Sequence, residues 1–151
     1  MKKIFLSLVI AMISVASFGQ SWETTIQKGD ELKGTKGGVV EYYADLTNNC
    51  IFFYSENERH WVFVTVANVV YDTHYSSLLK TKTLHLYIGM YDENDNLVDK
   101  LNADYMITSK GAIMIPSKKI MKYIKNNKGY VRILIPIFRE NDIEFKVPCQ
   151  I

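Results

Sequence analysis

The chain has 151 residues, nearly half of them hydrophobic, with 18 Lys and Arg against 16 Asp and Glu. Two of those cations, Lys2 and Lys3, stand ahead of an apolar run, so the part that follows is neutral and carries no whole-chain footprint for a polyanion such as nucleic acid. The length suits one core rather than two, and the wealth of Val, Ile, Leu, Phe and Tyr argues against both disorder and a metal-dependent mini-fold.

Taken from the start, Lys2-Lys3, the apolar stretch Ile4 to Ala16 and the small residues of Ser17-Phe18-Gly19 read as an export signal over residues 1–19. Cleavage is expected before Gln20, with a cut after Ser14-Val15-Ala16 as the alternative. The apolar run is shorter than the roughly 20 residues a membrane-spanning helix needs. It ends without a cysteine, so neither a stable membrane anchor nor a lipid anchor is expected after cleavage. The protein is therefore expected in the periplasm, outside the cell or on its surface, with residues 20–151 forming a single β-sandwich domain.

Gly29-Asp30-Glu31-Leu32-Lys33-Gly34-Thr35-Lys36 has the glycines of a phosphate loop but the wrong ending, since Thr35 precedes Lys36. A turn-rich loop is the better reading, punctuated further by Gly37-Gly38. Val39 to Ala44, Cys50 to Tyr54 and Trp61 to Asn68 are β-branched and aromatic. The third has apolar residues on both faces, as a strand covered on each side would.

The clearest strand runs from Thr83 to Tyr91. Leu84, Leu86, Ile88 and Met90 share one face, and Thr83, His85, Tyr87, Gly89 and Tyr91 the other. Asp92-Glu93-Asn94-Asp95-Asn96 then turns the chain into a strand with Leu101, Ala103, Tyr105 and Ile107 in phase, a β-hairpin. The same turn opens like a calcium loop, but Leu97 replaces the required glycine and Ala103 the bidentate glutamate.

Ser117 to Asn127 breaks the pattern: Ile120, Met121 and Ile124 recur at helical spacing among Lys118, Lys119, Lys122 and Lys125. With Ser117 as N-cap and Lys128-Gly129 as stop, this predicts one short helix over 117–127. Its lysines suit an anionic surface, but a solvated face over a core-facing stripe is the preferred reading. A last hairpin follows, with Val131, Ile133, Ile135 and Ile137 in phase, Glu140-Asn141-Asp142 as the turn, and Ile143, Phe145, Val147 and Cys149 on the return. Pro136 cannot donate to a ladder, so its strand is expected at an edge or with a bulge. The whole is expected to be a mainly-β fold, an antiparallel β-sandwich of seven or eight strands with that one helix.

Cys50 and Cys149 are expected to pair, because two cysteines of a small exported domain usually do and Cys149 carries the inward phase. Such a bond is worth about 4–5 kcal/mol on the chain-entropy model. His60, His74 and His85 lack metal-ligand spacing, and zinc would need them to converge from separate segments, with Asp72 or a cysteine. No catalytic, metal or cofactor site is expected. The candidate binding face is His85, Tyr87 and Tyr91: exposed, these side chains stack on a sugar or anchor a protein, and covered, they are core.

In its Phe18-Gly19-Gln20-Ser21 junction, Trp22, Gly89-Met90-Tyr91-Asp92 and Gly129-Tyr130-Val131-Arg132, the chain resembles small exported proteins of Bacteroidota. The resemblance implies a compartment and no activity, and no functional residue is carried over. The expected function is a non-enzymatic exported binding or interaction module for a protein or glycan of the envelope. The alternatives are an inhibitor or protective protein against an envelope-targeting enzyme, and a glycan hydrolase. A deep pocket with two convergent carboxylates separates the hydrolase from a binder with an open aromatic patch.

Overall fold

A computed structural model describes residues 21–56 and 59–150. The expected export signal, residues 1–19, lies outside them. The described residues form two compact units, one ending at Ala67 and the other starting at Asn68. The fold is mainly β and antiparallel with a single short helix among the described residues, as the alternating segments predict. Among the described residues there are ten strands rather than seven or eight. The additions are short segments with too few residues to show a period.

In the first unit, β1 (Glu23–Gln27), β2 (Gly38–Ala44), β3 (Cys50–Glu56) and β4 (Arg59–Thr65) pair in chain order. The glycine-rich segment is the β1–β2 loop. Asp30 and Thr35 exchange backbone hydrogen bonds there, and Gly34 adopts φ +64°. Asp45 closes the β2–β3 turn by accepting from the N–H groups of Thr47 and Asn49. That bonding lets Asn48 sit at positive φ. Val40, Tyr42, Phe52 and Tyr54 are buried together, with Trp61 and Phe63 packed against them. β4 has Val62 and Val64 buried and Trp61, Phe63 and Thr65 only partly so, which leaves its second face less covered than its composition suggests.

In the second unit, β6 (Thr81–Tyr91) and β7 (Leu97–Ile107) form the long hairpin. β8 (Ile113–Ile115) adds to β7, while β9 (Tyr130–Ile135) pairs the end of β6 and carries β10 (Ile143–Pro148). β5 (His74–Ser76) pairs the start of β6 along the edge that β9 uses further on. Helix α1 (Lys118–Asn126) begins at Ser117, whose hydroxyl accepts from the N–H of Lys119. Its Ile120, Met121 and Ile124 are buried, so the apolar stripe is core and the helix has none left for a bilayer.

Leu84, Leu86, Ile88 and Met90 are buried together with Val131, Ile133, Ile135, Phe145 and Val147, as the phase of each strand requires. Pro136 corrects one expectation. β9 stops at Ile135, so the proline lies beyond the ladder and β9 runs between β6 and β10 with no need of an edge. The carbonyl of Pro136 instead accepts the N–H of Asp72.

The expected Cys50–Cys149 disulfide is not formed, and both thiols are free. Cys50 lies at the start of β3 in the first unit, its Sγ 3.7 Å from the Asn48 carbonyl. Cys149 lies in the second, where β10 has already ended at Pro148, so the strand phase no longer sets its direction. Its Sγ is 3.7 Å from the Tyr123 carbonyl. Burial pushes each thiol up to about 11. At pH 8 only roughly one thiol in a thousand is then thiolate, the form that reacts. A thiol reagent should therefore label the folded protein slowly and, in denaturant without reductant, count two thiols. A count of zero would mean a disulfide.

Candidate functional site: the open face of the second unit

The outward residues of β6 are the ones the alternation singled out, and the structure separates them. Thr83 is fully buried where β5 pairs alongside β6. From His85 onward the face opens: Tyr87 is 51% exposed, and His85 and Tyr91 are partly exposed. On the other side of the same strand Leu86 and Ile88 are at most 1% exposed, so a rigid, fully packed sheet presents this face.

His85 sits opposite Asp104 of β7, and its Nδ1 is 2.7 Å from Asp104 Oδ1. His74 reaches over from β5, with Nε2 3.2 Å from Asp104 Oδ2. An ionised carboxylate only accepts, so His85 donates from Nδ1 and His74 from Nε2. Those two bonds, His85 first, hold the Asp104 carboxyl below the usual carboxylate range. Thr83 supports the clasp, its hydroxyl facing His74 Nε2 at 3.3 Å and the His74 carbonyl at 3.4 Å. With Nδ1 committed to Asp104, His85 presents Nε2 as its remaining ring nitrogen. The His85 ring meets Tyr87 edge to face at 4.9 Å. A shallow cleft of about 310 Å³ opens here, and Asp72, Asp142 and Pro136 complete its lining.

Beyond Tyr87 the strand carries Gly89, and a second hollow of about 170 Å³ lies over it, rimmed by Lys100, Asn102 and Arg132. Tyr91, two residues on, folds its ring back across Gly89. A Cβ at position 89 would lie 2.7 Å from Tyr91 Cε2 and 3.2 Å from Leu97 Cδ1. Tyr91 then stacks on Tyr130 of β9, with centroids 5.0 Å apart and planes 3° from parallel. Tyr130 donates to Asp95 at 3.0 Å, and Lys146 lies 5.3 Å from its ring centre. Arg132 Nε bonds Glu144 at 2.8 Å. Tyr91 is thus largely a wall of the surface, and Tyr87 its half-exposed ring.

Asp104, Asn102, Lys100 and Arg132 are not candidates from the sequence, and His74 enters there only as one of three histidines that zinc would need to converge; the structure adds all five to this face. The histidines do converge in part: His74 and His85 share Asp104, while His60 lies in the first unit and bonds Ser55. Among the described residues no group of three or more His, Cys, Asp or Glu is arranged to hold a metal. The calcium-like turn is closed by its own polar atoms, since Asp92 Oδ1 accepts from the N–H groups of Asn94 and Asn96, each at 2.9 Å. Hydrogen bonds from Asn96 and Asn94 lower the Asp92 carboxyl. No helix among the described residues is long and apolar enough to cross a membrane. Comparison with protein-family models, curated proteins and solved structures returns no match for this chain.

Proposed function

We propose that the protein is an exported, non-enzymatic binding module that takes a glycan of the cell envelope on the open face of β6, β7 and β9. The observation that supports this reading is the half-exposed ring of Tyr87, set among His85, Asp104, Asn102, Lys100 and Arg132. A sugar ring offers an apolar C–H face to an aromatic side chain and a rim of hydroxyls that both donate and accept. An aromatic surface ringed by mixed polar groups matches both features. Protein interfaces differ in composition, since charged residues are depleted at their cores, and this face has charges close on every side of the ring.

Hydrolysis of a glycan is the less favoured reading. Asp72 and Asp142 do line one cleft, but both are exposed, and a general acid needs an apolar setting that keeps it protonated. The test is co-sedimentation with purified envelope glycan. Wild-type protein should pellet with it, and Tyr87→Ala should lose at least tenfold in affinity, the scale of a central aromatic contact. Retention of the variant equal to wild type would overturn the proposal. Recovery of an envelope-targeting enzyme as the bound species would instead support the inhibitor reading.

A further inference from the structure

We infer that the end of the second unit bearing the β5–β6 turn is a membrane-docking tip, which inserts its leucines into the surface of an anionic bilayer. Antiparallel pairing places three turns at this end: residues 77–80 before β6, residues 108–111 after β7, and the segment after β9. The segment ahead of β5 ties the last two of these turns together. Tyr71 donates to the Gly111 carbonyl at 3.0 Å, and Phe138 N–H to the Val70 carbonyl at 2.8 Å.

Exposed apolar side chains gather here. Leu78 is 88% exposed, Val70 68%, Tyr75 66%, Phe138 50% and Leu79 43%. Single exposed leucines are ordinary on a protein surface, but five large apolar residues on adjoining segments call for an occupant. The β5–β6 turn does not need them for its shape. Leu79 N–H bonds Ser76 Oγ, and Lys80 takes the left-handed conformation at φ +53°, so polar atoms and backbone make the bend.

Charge selects the occupant. From Thr73 to Thr83 the segment has Lys80 and Lys82 and no carboxylate. Lys110 stands in the neighbouring turn, and the Arg139 guanidinium lies 4.9 Å over the Phe138 ring. The acidic residues of this end lie outside the leucine turn: Asp72 precedes β5, six residues before Leu78, Asp104 of β7 is held by His74 and His85, and Glu140 and Asp142 follow β9. Projecting leucines, a tyrosine and flanking lysines are what an anionic lipid surface accepts: the apolar side chains enter the acyl boundary, the phenol stays at headgroup level, and the ammonium groups meet lipid phosphates. The insertion is shallow, so docking is reversible and falls with added salt.

The test uses the chain without residues 1–19, whose own apolar run would bind any vesicle. It is sedimented with vesicles of phosphatidylglycerol and phosphatidylcholine, and with phosphatidylcholine alone. Binding is expected to the anionic vesicles only. Lys80→Gln with Lys82→Gln should weaken it about tenfold or more, and Leu78→Asp with Leu79→Asp should abolish it. Leu78→Trp, at a position outside the core, should show a blue-shifted fluorescence on anionic vesicles. Tyr87→Ala should bind vesicles as wild type does, which separates this tip from the glycan face. Absence of wild-type binding, unchanged binding by the aspartate variant, or no shift at Trp would overturn the inference. So would a double-aspartate variant that loses a protein partner while wild type ignores the vesicles.

Discussion

Gly129→Ala is expected to destabilise the second unit by about 3 kcal/mol, the upper part of the range for overpacking. The residue is buried where the chain enters β9, and a Cβ there would fall 1.8 Å from the Tyr91 carbonyl oxygen and 2.6 Å from the Asp92 carbonyl carbon. Backbone cannot swing aside as a side chain does, so the β6 and β9 ends must separate. That separation breaks the Tyr123 hydroxyl bond to the Tyr91 carbonyl at 2.7 Å and disturbs the Tyr91–Tyr130 stack. Denaturant unfolding measures the loss. A midpoint unchanged from wild type would mean that the two strand ends do not approach as described.

Leu86→Ala should cost about 2–5 kcal/mol, the range for truncating a leucine in a packed core. Its neighbour gives the contrast: Tyr87→Ala should stay within about 1 kcal/mol, because its side chain faces solvent. The two residues differ by one step along the same strand, and only the direction of the pleat separates a fully buried side chain from a half-exposed one. Equal losses at 86 and 87 would require the outer face to be covered. A loss confined to 87 would require a one-residue slip of register.

The hairpins and the helix were legible because each repeats its signal over many residues. Nine alternating positions fix the faces of β6, and Ile120, Met121 and Ile124 fix the inward side of α1. β5 and β8 are three residues each and carry no period to read. That is why His74 was missed as a partner of His85. Asp104 was hidden by a subtler cause. Tyr91 pairs with Leu97 but Met90 with Asp99, so the hairpin register shifts at that point and Val98 is the extra residue. Counted from the turn without this bulge, His85 would face Ala103. Gly129 was read as a helix stop, whereas the strand approach behind it is a long-range contact that local sequence does not encode. The cysteine expectation rested on the compartment and on a strand phase that ends at Pro148, one residue before Cys149, so neither ground fixes where the two thiols lie.

The central claim is that an open sheet face centred on Tyr87, with polar groups from three strands around it, receives an envelope glycan. Backbone amide NMR of the protein titrated with soluble cell-wall glycan fragments tests it most directly, because it reports each residue separately. The expected result is saturable shifts at His85, Tyr87, Asn102 and Arg132, with Leu84 to Met90 otherwise retaining their protection from exchange. Shifts confined to the first unit, or none at all with the fragments in excess, would contradict it.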